Sequence, residues 1–210
     1  MQIDFIADVV CPWCYLGWRR LEKALAMRPD LEATVTWRPY QLDPTLPEEG
    51  VDRKNYYAAK FPDPERREAG AKVLNAAAAE DGITWNLADI PVSPNTNAAH
   101  RLIRWAQGEG LQGPVLEGVL AAYFTELKDI GDPLVLADIG EKAGMDRMRL
   151  LQAFSEGVDK EAVAREHFQA HQAGVSGVPF MIFDGKIAVS GAEPAERLVK
   201  AIDKALELAA

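Results

Sequence analysis

Cys11-Pro12-Trp13-Cys14 follows directly after an apolar run, residues 2–10, and contains both cysteines of this 210-residue chain. The run has few polar residues, which is typical of a strand covered on both faces in the middle of a sheet. Residues 15–27 then show a helical pattern that ends before Pro29. A Cys-x-x-Cys at such a junction places the first thiol where unpaired N–H groups and the positive end of the helix dipole stabilise a thiolate. The position therefore predicts redox chemistry.

The spacing of the two cysteines also has a geometric reason. Residues three apart lie on the same face of a helix, so Cys14 can reach the sulfur of Cys11 and resolve a mixed disulfide. Pro12 suits the first helical turn, because its φ is already helical and its missing N–H loses no partner. Trp13 offers a flat apolar surface against which a substrate can rest. We therefore expect Pro12 and Trp13 to contribute to substrate binding.

Two other uses of a cysteine pair compete with redox catalysis. A structural zinc site needs four ligands, whereas the chain has no second pair and its three histidines lie far away in sequence. No metal site is therefore predicted. A static disulfide closing so short a loop would constrain the unfolded chain little, and nothing in the sequence indicates export. Redox catalysis is favoured over both.

Charge and hydropathy limit the partners that we expect. The formal net charge of −9 argues against nucleic acid, because binding to a phosphate backbone needs a basic surface. The N-terminus carries Asp4 and Asp8 where a signal segment would have basic residues, and no apolar run is long enough to span a membrane. We therefore expect a cytoplasmic protein with no nucleic-acid or membrane partner, unless a signal was removed earlier. The sequence leaves the oligomeric state open.

The rest of the chain predicts an α/β fold with a helical middle. Residues 32–42 alternate polar and apolar side chains as a second strand would. Helical segments separated by proline and glycine turns follow, with only a short extended piece at 83–85 between them. These helices are 53–60, 65–81, 96–107, 115–128, 134–143 and 148–155.

The C-terminal part returns to mixed structure. A helix at 159–173 precedes an apolar strand that ends at Phe183, and Asp184-Gly185 is typical of a hairpin turn to a partner strand at 186–190. An amphipathic helix over 194–208 closes the chain, with an apolar stripe. The residues of that stripe are Leu198, Ile202, Ala205 and Leu206.

The motifs at both ends of the chain resemble those of one known family. Residues 11–17 read Cys-Pro-Trp-Cys-Tyr-Leu-Gly, residues 174–180 read Gly-Val-Ser-Gly-Val-Pro-Phe, and Ser-Gly-Ala follows at 190–192. With the order of predicted elements, they resemble the DsbA-like oxidoreductases of the FrnE branch, over essentially the whole chain. The resemblance implies a thioredoxin-like domain formed by residues 1–42 and 158–210, with a large inserted all-helical domain at 43–157.

The resemblance also implies roles for individual residues. Cys11 is expected to be the exposed nucleophile and Cys14 the resolving thiol of a thiol-disulfide oxidoreductase or disulfide isomerase. The redox group is then the Cys11–Cys14 disulfide, with no bound cofactor. Val178-Pro179 is expected to be cis and to face the pair, so that its main chain can pair with an extended peptide or with glutathione.

The resemblance implies partners of one chemical kind. These are disulfides and thiols of proteins or small molecules, with glutathione a candidate co-substrate. Some FrnE-type proteins carry a second cysteine pair near the C-terminus, which this chain lacks. Electrons are therefore expected to pass directly between the Cys11–Cys14 pair and an external thiol.

Two other function classes remain open. Kappa-class glutathione transferases and hydroxychromene-carboxylate isomerases share the helical insertion and the Val-Pro strand, and the region of Asn95 looks like theirs. They imply a glutathione-dependent isomerase or transferase that acts on a small aromatic or polyketide-like compound. These proteins usually have serine where this chain has Cys11, so the thiol favours disulfide exchange. The third class is a non-catalytic redox sensor or holdase that uses the helical domain.

Weaker signals concern single side chains. Asp8, three residues before the first cysteine, is a candidate proton acceptor for the second cysteine. Asn95 and Arg101 are candidates to line the insertion's side of the cleft, although Asn95 equally suits a helix cap. His167 and His171 have a spacing that metal sites use, but no third ligand is visible. Solvent-facing or capping positions are therefore favoured for these two histidines.

Overall fold

A computed structural model describes residues 1–209 of the chain. Its strands and helices are, in order, β1 (Gln2–Ala7), α1 (Pro12–Ala26), β2 (Thr34–Pro39), β3 (Val51–Asp52), α2 (Arg53–Lys60), α3 (Pro64–Glu80), β4 (Val92–Ser93), α4 (Asn97–Gly108), α5 (Gln112–Phe124), α6 (Pro133–Ala143), α7 (Arg147–Ser155), α8 (Lys160–Gln172), β5 (Phe180–Phe183), β6 (Ile187–Ser190) and α9 (Ala195–Glu207). No helix among the described residues is both long enough and apolar enough to cross a membrane.

The chain forms two compact units. The first contains Met1–Tyr40 together with the segment from Glu166 onward, and the second is Gln41–Arg165. Every helix predicted for the middle of the chain is present in the second unit, with bounds that agree to within about one turn. In that unit α5 packs against α4 and α6, and α6 packs against α7.

The expectation of an all-helical middle is wrong in one detail. β3 and β4 pair antiparallel, with Val51 opposite Ser93 and Asp52 opposite Val92. The extended piece expected at 83–85 is not a strand. Each of these strands is only two residues long, so neither contains enough alternation for a sequence pattern to reveal it.

The sheet of the first unit has the strand order β2-β1-β5-β6. β1 pairs parallel with β2 and antiparallel with β5, and α1 makes the crossover that a parallel pair requires. Ile3, Phe5 and Ala7 of β1 are completely buried. The prediction of a central strand before the cysteine pair is therefore confirmed.

The last two strands form the predicted hairpin. β5 pairs antiparallel with β6 from Phe183 opposite Ile187, so Asp184, Gly185 and Lys186 connect the two strands. Asp184 and Gly185 have φ angles of 49° and 65°, and the Lys186 N–H closes their turn by donating to the Phe183 carbonyl at 2.9 Å. Positive φ at two successive residues is what the Asp-Gly signal of a hairpin turn predicts. The hairpin completes the sheet at its edge and brings the start of β5 beside β1.

An aromatic cluster fixes α1 on the sheet. The ring of Trp18 lies 5.6 Å from that of Phe5 and 6.3 Å from that of Trp37, and the latter two are 5.3 Å apart. Such pairs contribute about 0.5–1.5 kcal/mol each beyond the area that they bury. α9 packs against α1 and buries most of the predicted stripe, of which Leu206 alone stays half-buried. The N-terminus of α1 is thereby held at the carboxyl end of β1.

Candidate active site

The cysteine pair lies at the start of α1. Cys11 is the N-cap residue, with extended backbone at φ −87° and ψ 113°, and Pro12 begins the helix. The carbonyl oxygen of Cys11 accepts the N–H groups of Cys14 at 2.9 Å and Tyr15 at 3.1 Å. The Cys11 side chain makes no capping hydrogen bond. Its sulfur therefore lies at the positive end of the helix dipole.

Both thiols are free and both are buried. Cys11 is 5% exposed and Cys14 is 0% exposed, so the expectation of an exposed nucleophile is wrong for the reduced pair. The physical reason is that Cys11 lies against the chain before β5, with its Sγ atom 3.9 Å from the carbonyl oxygen of Val178. A carbonyl at this distance accepts a weak hydrogen bond from a thiol.

Burial raises the pKa of the Cys14 thiol well above its usual range, and the hydrogen bond to Cys11 and the charge of Cys11 raise this pKa further. Desolvation acts in this direction because a low-dielectric environment disfavours the thiolate. Cys14 is therefore held as a protonated thiol directly beside the Cys11 sulfur. A group that accepts its proton is needed before it can attack.

Asp8 is the candidate for this acceptor, a role that stays a prediction. It directly follows β1, is buried, and accepts the N–H of Cys11 at its carbonyl oxygen over 3.1 Å. A main-chain hydrogen bond from Asp8 lowers the pKa of Cys14, whereas the negative charge of Asp8 raises it. Both effects place Asp8 beside Cys14.

The peptide bond between Val178 and Pro179 is cis, as predicted. Pro179 is buried and directly precedes β5, where Phe180 pairs with Ile6 of β1. The carbonyl oxygen of Pro179 accepts the N–H of Gly191 at 2.8 Å. The first unit thus brings Asp8, Cys11, Cys14, Val178 and Pro179 together at one end of its sheet.

Trp13 and Pro12 form the outer surface of the same helical turn. Trp13 is 38% exposed and Pro12 is half-buried. The indole ring therefore presents apolar area to solvent between the two buried thiols, which suits contact with a substrate. A substrate-binding role for either residue stays a prediction.

Tyr40 and two histidines form an aromatic group that the sequence did not reveal. Tyr40 follows β2, and its N–H donates to Ala7 at 3.0 Å. Its ring lies 5.1 Å from that of His167 and 4.8 Å from that of His171, and the two imidazoles are 4.7 Å apart. Burial raises the pKa of Tyr40, and the charge of Asp8 raises it further. The sequence signal that could have indicated Tyr40 is its place at the end of β2, beside the strand that leads to the cysteines.

The structure gives the two histidines aromatic contacts with Tyr40. His171 is exposed and His167 is half-buried. Within residues 1–209, no group of three or more His, Cys, Asp or Glu side chains is arranged to hold a metal ion.

Asn95 and Arg101 belong to the second unit and have local partners there. The side-chain amide of Asn95 donates to the Leu46 carbonyl at 2.6 Å and accepts from Gln41 at 3.2 Å and from the Asn97 N–H at 3.0 Å. The buried guanidinium of Arg101 donates to main-chain carbonyls at and beyond the C-terminal end of α7. The expectation that Arg101 lines a cleft is therefore wrong. A substrate role for Asn95 stays a prediction.

A four-stranded mixed sheet, a Cys-x-x-Cys pair at the N-terminus of the helix after its central strand and a cis proline beside that pair define a thioredoxin-like fold. Residues 2–203 match the DSBA-like thioredoxin domain. The chain therefore belongs to the DSBA-like thioredoxin domain family. This confirms the predicted family and fold, an α/β thioredoxin-like architecture with a helical insertion, while the FrnE branch stays a prediction.

Three solved structures illustrate the range of similar proteins. A probable DsbA oxidoreductase from Streptomyces coelicolor is 29% identical, with a TM-score of 0.89 over 99% of this chain and 90% of that one. A 2-hydroxychromene-2-carboxylate isomerase is 20% identical, with a TM-score of 0.66 over 99% and 97% of the two chains. The cytosolic disulfide reductase DsbM from Pseudomonas aeruginosa, in its structure with GSH, is 17% identical, with a TM-score of 0.63 over 99% and 97%. The last two share the fold alone.

Proposed function

We propose that this protein is a thiol-disulfide oxidoreductase, with disulfide reductase or isomerase activity, that acts through Cys11 and Cys14. The observation that carries the proposal is the buried Cys14 thiol, whose pKa is raised and which is hydrogen-bonded to the Cys11 sulfur. A protonated Cys14 thiol does not react with the client itself. After a mixed disulfide has formed at the Cys11 sulfur, Cys14 attacks that sulfur and displaces the client. Membership in the DSBA-like family supports the same chemistry.

The first step is attack on the client. The Cys11 thiolate, stabilised by the N-terminus of α1, attacks one sulfur of a client disulfide. The client S–S bond breaks, one client sulfur leaves as a thiolate, and the other is joined to Cys11 in a mixed disulfide. In this proposal the client lies along the Val178-Pro179 main chain, whose Val178 carbonyl oxygen is 3.9 Å from the Cys11 sulfur.

The second step is resolution. Asp8 accepts the proton of Cys14, whose thiolate attacks the Cys11 sulfur and releases the second client sulfur as a thiolate. Two electrons have then passed from the cysteine pair to the client, and the proton held by Asp8 is returned through solvent to the leaving thiolates. Two external thiols, such as two glutathione molecules, reduce the Cys11–Cys14 disulfide and are themselves oxidised to one disulfide. For isomerisation, a client thiolate attacks the mixed disulfide before Cys14 does, with no net electron transfer.

The proposal assigns binding roles to the residues around the pair. The Val178-Pro179 main chain would pair with an extended peptide or with glutathione, and Trp13 would contact its apolar part. Asn95 is proposed as a further substrate contact on the basis of the resemblance alone. We place the reaction in the cytoplasm, where thiols are kept reduced, and the cytosolic DsbM, which has the same fold, supports this location.

The test compares the wild type with Cys14→Ser and Cys11→Ser. A redox titration of the pair against glutathione gives its potential, in which about 30 mV corresponds to tenfold in the exchange equilibrium. Disulfide reduction, disulfide isomerisation and glutathione-dependent isomerisation are assayed side by side. Cys14→Ser is expected to lose reductase turnover and to accumulate a mixed disulfide between Cys11 and the client, whereas Cys11→Ser forms no adduct.

A second candidate is a glutathione-dependent isomerase of small molecules, which the fold shared with the hydroxychromene-carboxylate isomerase favours. Such an enzyme needs only a group that holds or activates the glutathione sulfur, so Cys14 would have no role. If Cys14→Ser keeps full glutathione-dependent isomerisation and traps nothing, the disulfide-exchange proposal is wrong and this candidate replaces it.

A further inference from the structure

Gly17 lies inside α1, where a glycine needs a reason. In a helix interior glycine is about 1 kcal/mol less favourable than alanine. An ideal Cβ atom built on Gly17 would lie 2.8 Å from Cγ and 3.4 Å from Cβ of the Pro179 ring, and 3.5 Å from Cε of Met181. Carbon atoms in favourable contact are about 3.5–4.0 Å apart. The helix therefore has room for the Pro179 ring only because residue 17 has no side chain.

The neighbours of this contact have little freedom to move aside. Pro179 is buried, and Met181, two residues further along β5, is 0% exposed. β5 is hydrogen-bonded on both sides, to β1 and to β6. The side chains around an added methyl group therefore cannot absorb it, so α1 and the Pro179 ring must separate until the distance from this methyl to Pro179 Cγ grows from 2.8 Å to the 3.4 Å or more of an ordinary contact.

The Pro179 ring is joined to the carbonyl that faces the reactive sulfur. The Val178 carbonyl oxygen, 3.9 Å from Cys11 Sγ, belongs to the peptide bond that precedes this ring. Gly17 and Cys11 are both part of α1 or its cap, so the helix is the common support of both contacts. Moving the ring away from Gly17 consequently moves the Val178 carbonyl away from Cys11.

We propose that Gly17 is a positioning residue that sets the distance between the Val178 carbonyl and the Cys11 sulfur by allowing the Pro179 ring to rest directly on α1. The inference rests on the proposed function, because the distance matters chemically only if a client is held on the Val178 main chain while Cys11 attacks it. Gly17 acts through Pro179 and touches no substrate. Its effect is on the alignment of the client disulfide with the sulfur.

The test is Gly17→Ala with Gly70→Ala as the matched control. Gly70 also lies inside a helix, α3, but a Cβ atom there would meet nothing within 4 Å. Three quantities are measured: the rate of exchange with a disulfide client, the rate at which iodoacetamide alkylates Cys11, and the midpoint of thermal unfolding. Gly17→Ala should slow exchange about tenfold or more, because small misplacements of reacting groups have effects of this size.

The small reagent provides the discriminating measurement. Iodoacetamide does not bind along the Val178 main chain, so its reaction with Cys11 should not slow in parallel with exchange. Gly70→Ala should match the wild type in both rates. Exchange by Gly17→Ala at the wild-type rate, or an equal fall in both rates in a variant that is still folded, would overturn the inference. Failure of the wild type itself to exchange disulfides would instead overturn the proposed function.

A double variant shows whether the effect passes through the proline ring. In a Pro179→Ala background the ring is gone, so adding Gly17→Ala should reduce exchange no further, and the two effects should be strongly non-additive. Additive effects would contradict the inference. If Gly17→Ala alone does not fold, the double variant Gly17→Ala/Pro179→Ala decides. Recovery of folding in the double variant supports the inference, and failure of both variants to fold overturns it.

Discussion

The N–H of Cys11 donates a 3.1 Å hydrogen bond to the carbonyl oxygen of Asp8. This bond closes the turn between β1 and α1 and fixes the buried Asp8 at the base of the helix that carries both thiols. The charge of Asp8 acts on the pKa of Cys14 from this position. One turn therefore determines the positions of both the Cys11 sulfur and the Asp8 carboxylate, which we propose as the acceptor of the Cys14 proton.

Replacement of Asp8 by asparagine should slow resolution of the mixed disulfide near neutral pH by about tenfold to a hundredfold, because a positioned base contributes at least this much. Loss of the Asp8 charge also lowers the pKa of Cys14, but that charge is the smallest of the causes acting on this thiol. The loss of the proton acceptor should therefore affect the rate of resolution more than the lower pKa does. The lifetime of the adduct with a client is measured by rapid acid quench. Asp4→Asn, within β1 but partly exposed and paired with Arg38, is the control. Equal lifetimes in Asp8→Asn and the wild type would show that Asp8 is not the acceptor.

Alkylation at mildly acidic pH should label Cys11 almost alone. The reagent reacts with thiolates, and burial holds the pKa of Cys14 well above its usual range. We expect a preference of about tenfold or more for Cys11, measured by peptide mass spectrometry after brief labelling. The unfolded chain should lose the preference, which controls for the intrinsic reactivity of the two thiols. Equal labelling in the folded protein would remove the basis for assigning different roles to them.

The raised pKa of Cys14 predicts a specific loss of stability in alkali. Below about pH 8.5 the thiol is protonated in both states and has no effect, whereas above it only the unfolded chain releases the proton. The folded state then binds more protons, so the free energy of unfolding falls with rising pH, by up to about 1.4 kcal/mol per pH unit, until the folded pKa is reached.

The measurement isolates Cys14 by comparing Cys11→Ser with Cys11→Ser/Cys14→Ser. Burial is the largest cause of the raised pKa, and it remains when Cys11 is replaced. Urea unfolding between pH 7 and pH 10 should show the single variant losing stability more steeply than the double variant. Parallel curves would mean that Cys14 titrates as it does in the unfolded chain.

Tyr40 should stabilise the first unit through its ring. It is buried in an apolar cluster with Ile6 and Val175, and its ring contacts His167 and His171. Tyr40→Ala should cost about 3–5 kcal/mol in the free energy of unfolding, as other buried aromatic truncations do. Tyr40→Phe keeps the ring and should cost about 1 kcal/mol or less. Denaturant unfolding of both variants is the measurement, and equal losses would mean that the hydroxyl group, not the ring, is what matters.

The sequence by itself determined most of the helices and strands and the position of the cysteine pair among them. The apolar run before Cys11, the Asp184-Gly185 turn and the stripe of the last helix are local patterns, in which side chains a few residues apart decide strand, turn or helix. They predicted the central strand, the hairpin and the closing helix, and the cysteine spacing predicted the redox pair. The predicted domain bounds, the FrnE branch and the roles of the site residues stay predictions.

Only the tertiary structure decided how the site is enclosed. The Val178 carbonyl that covers the Cys11 sulfur is 167 residues away in sequence, and no local pattern records such a contact. The close approach of Gly17 to Pro179 and the rings around Tyr40 likewise join segments from opposite ends of the chain. Burial and alignment depend on which segments the sheet brings together, and that pairing is a property of the whole folded unit.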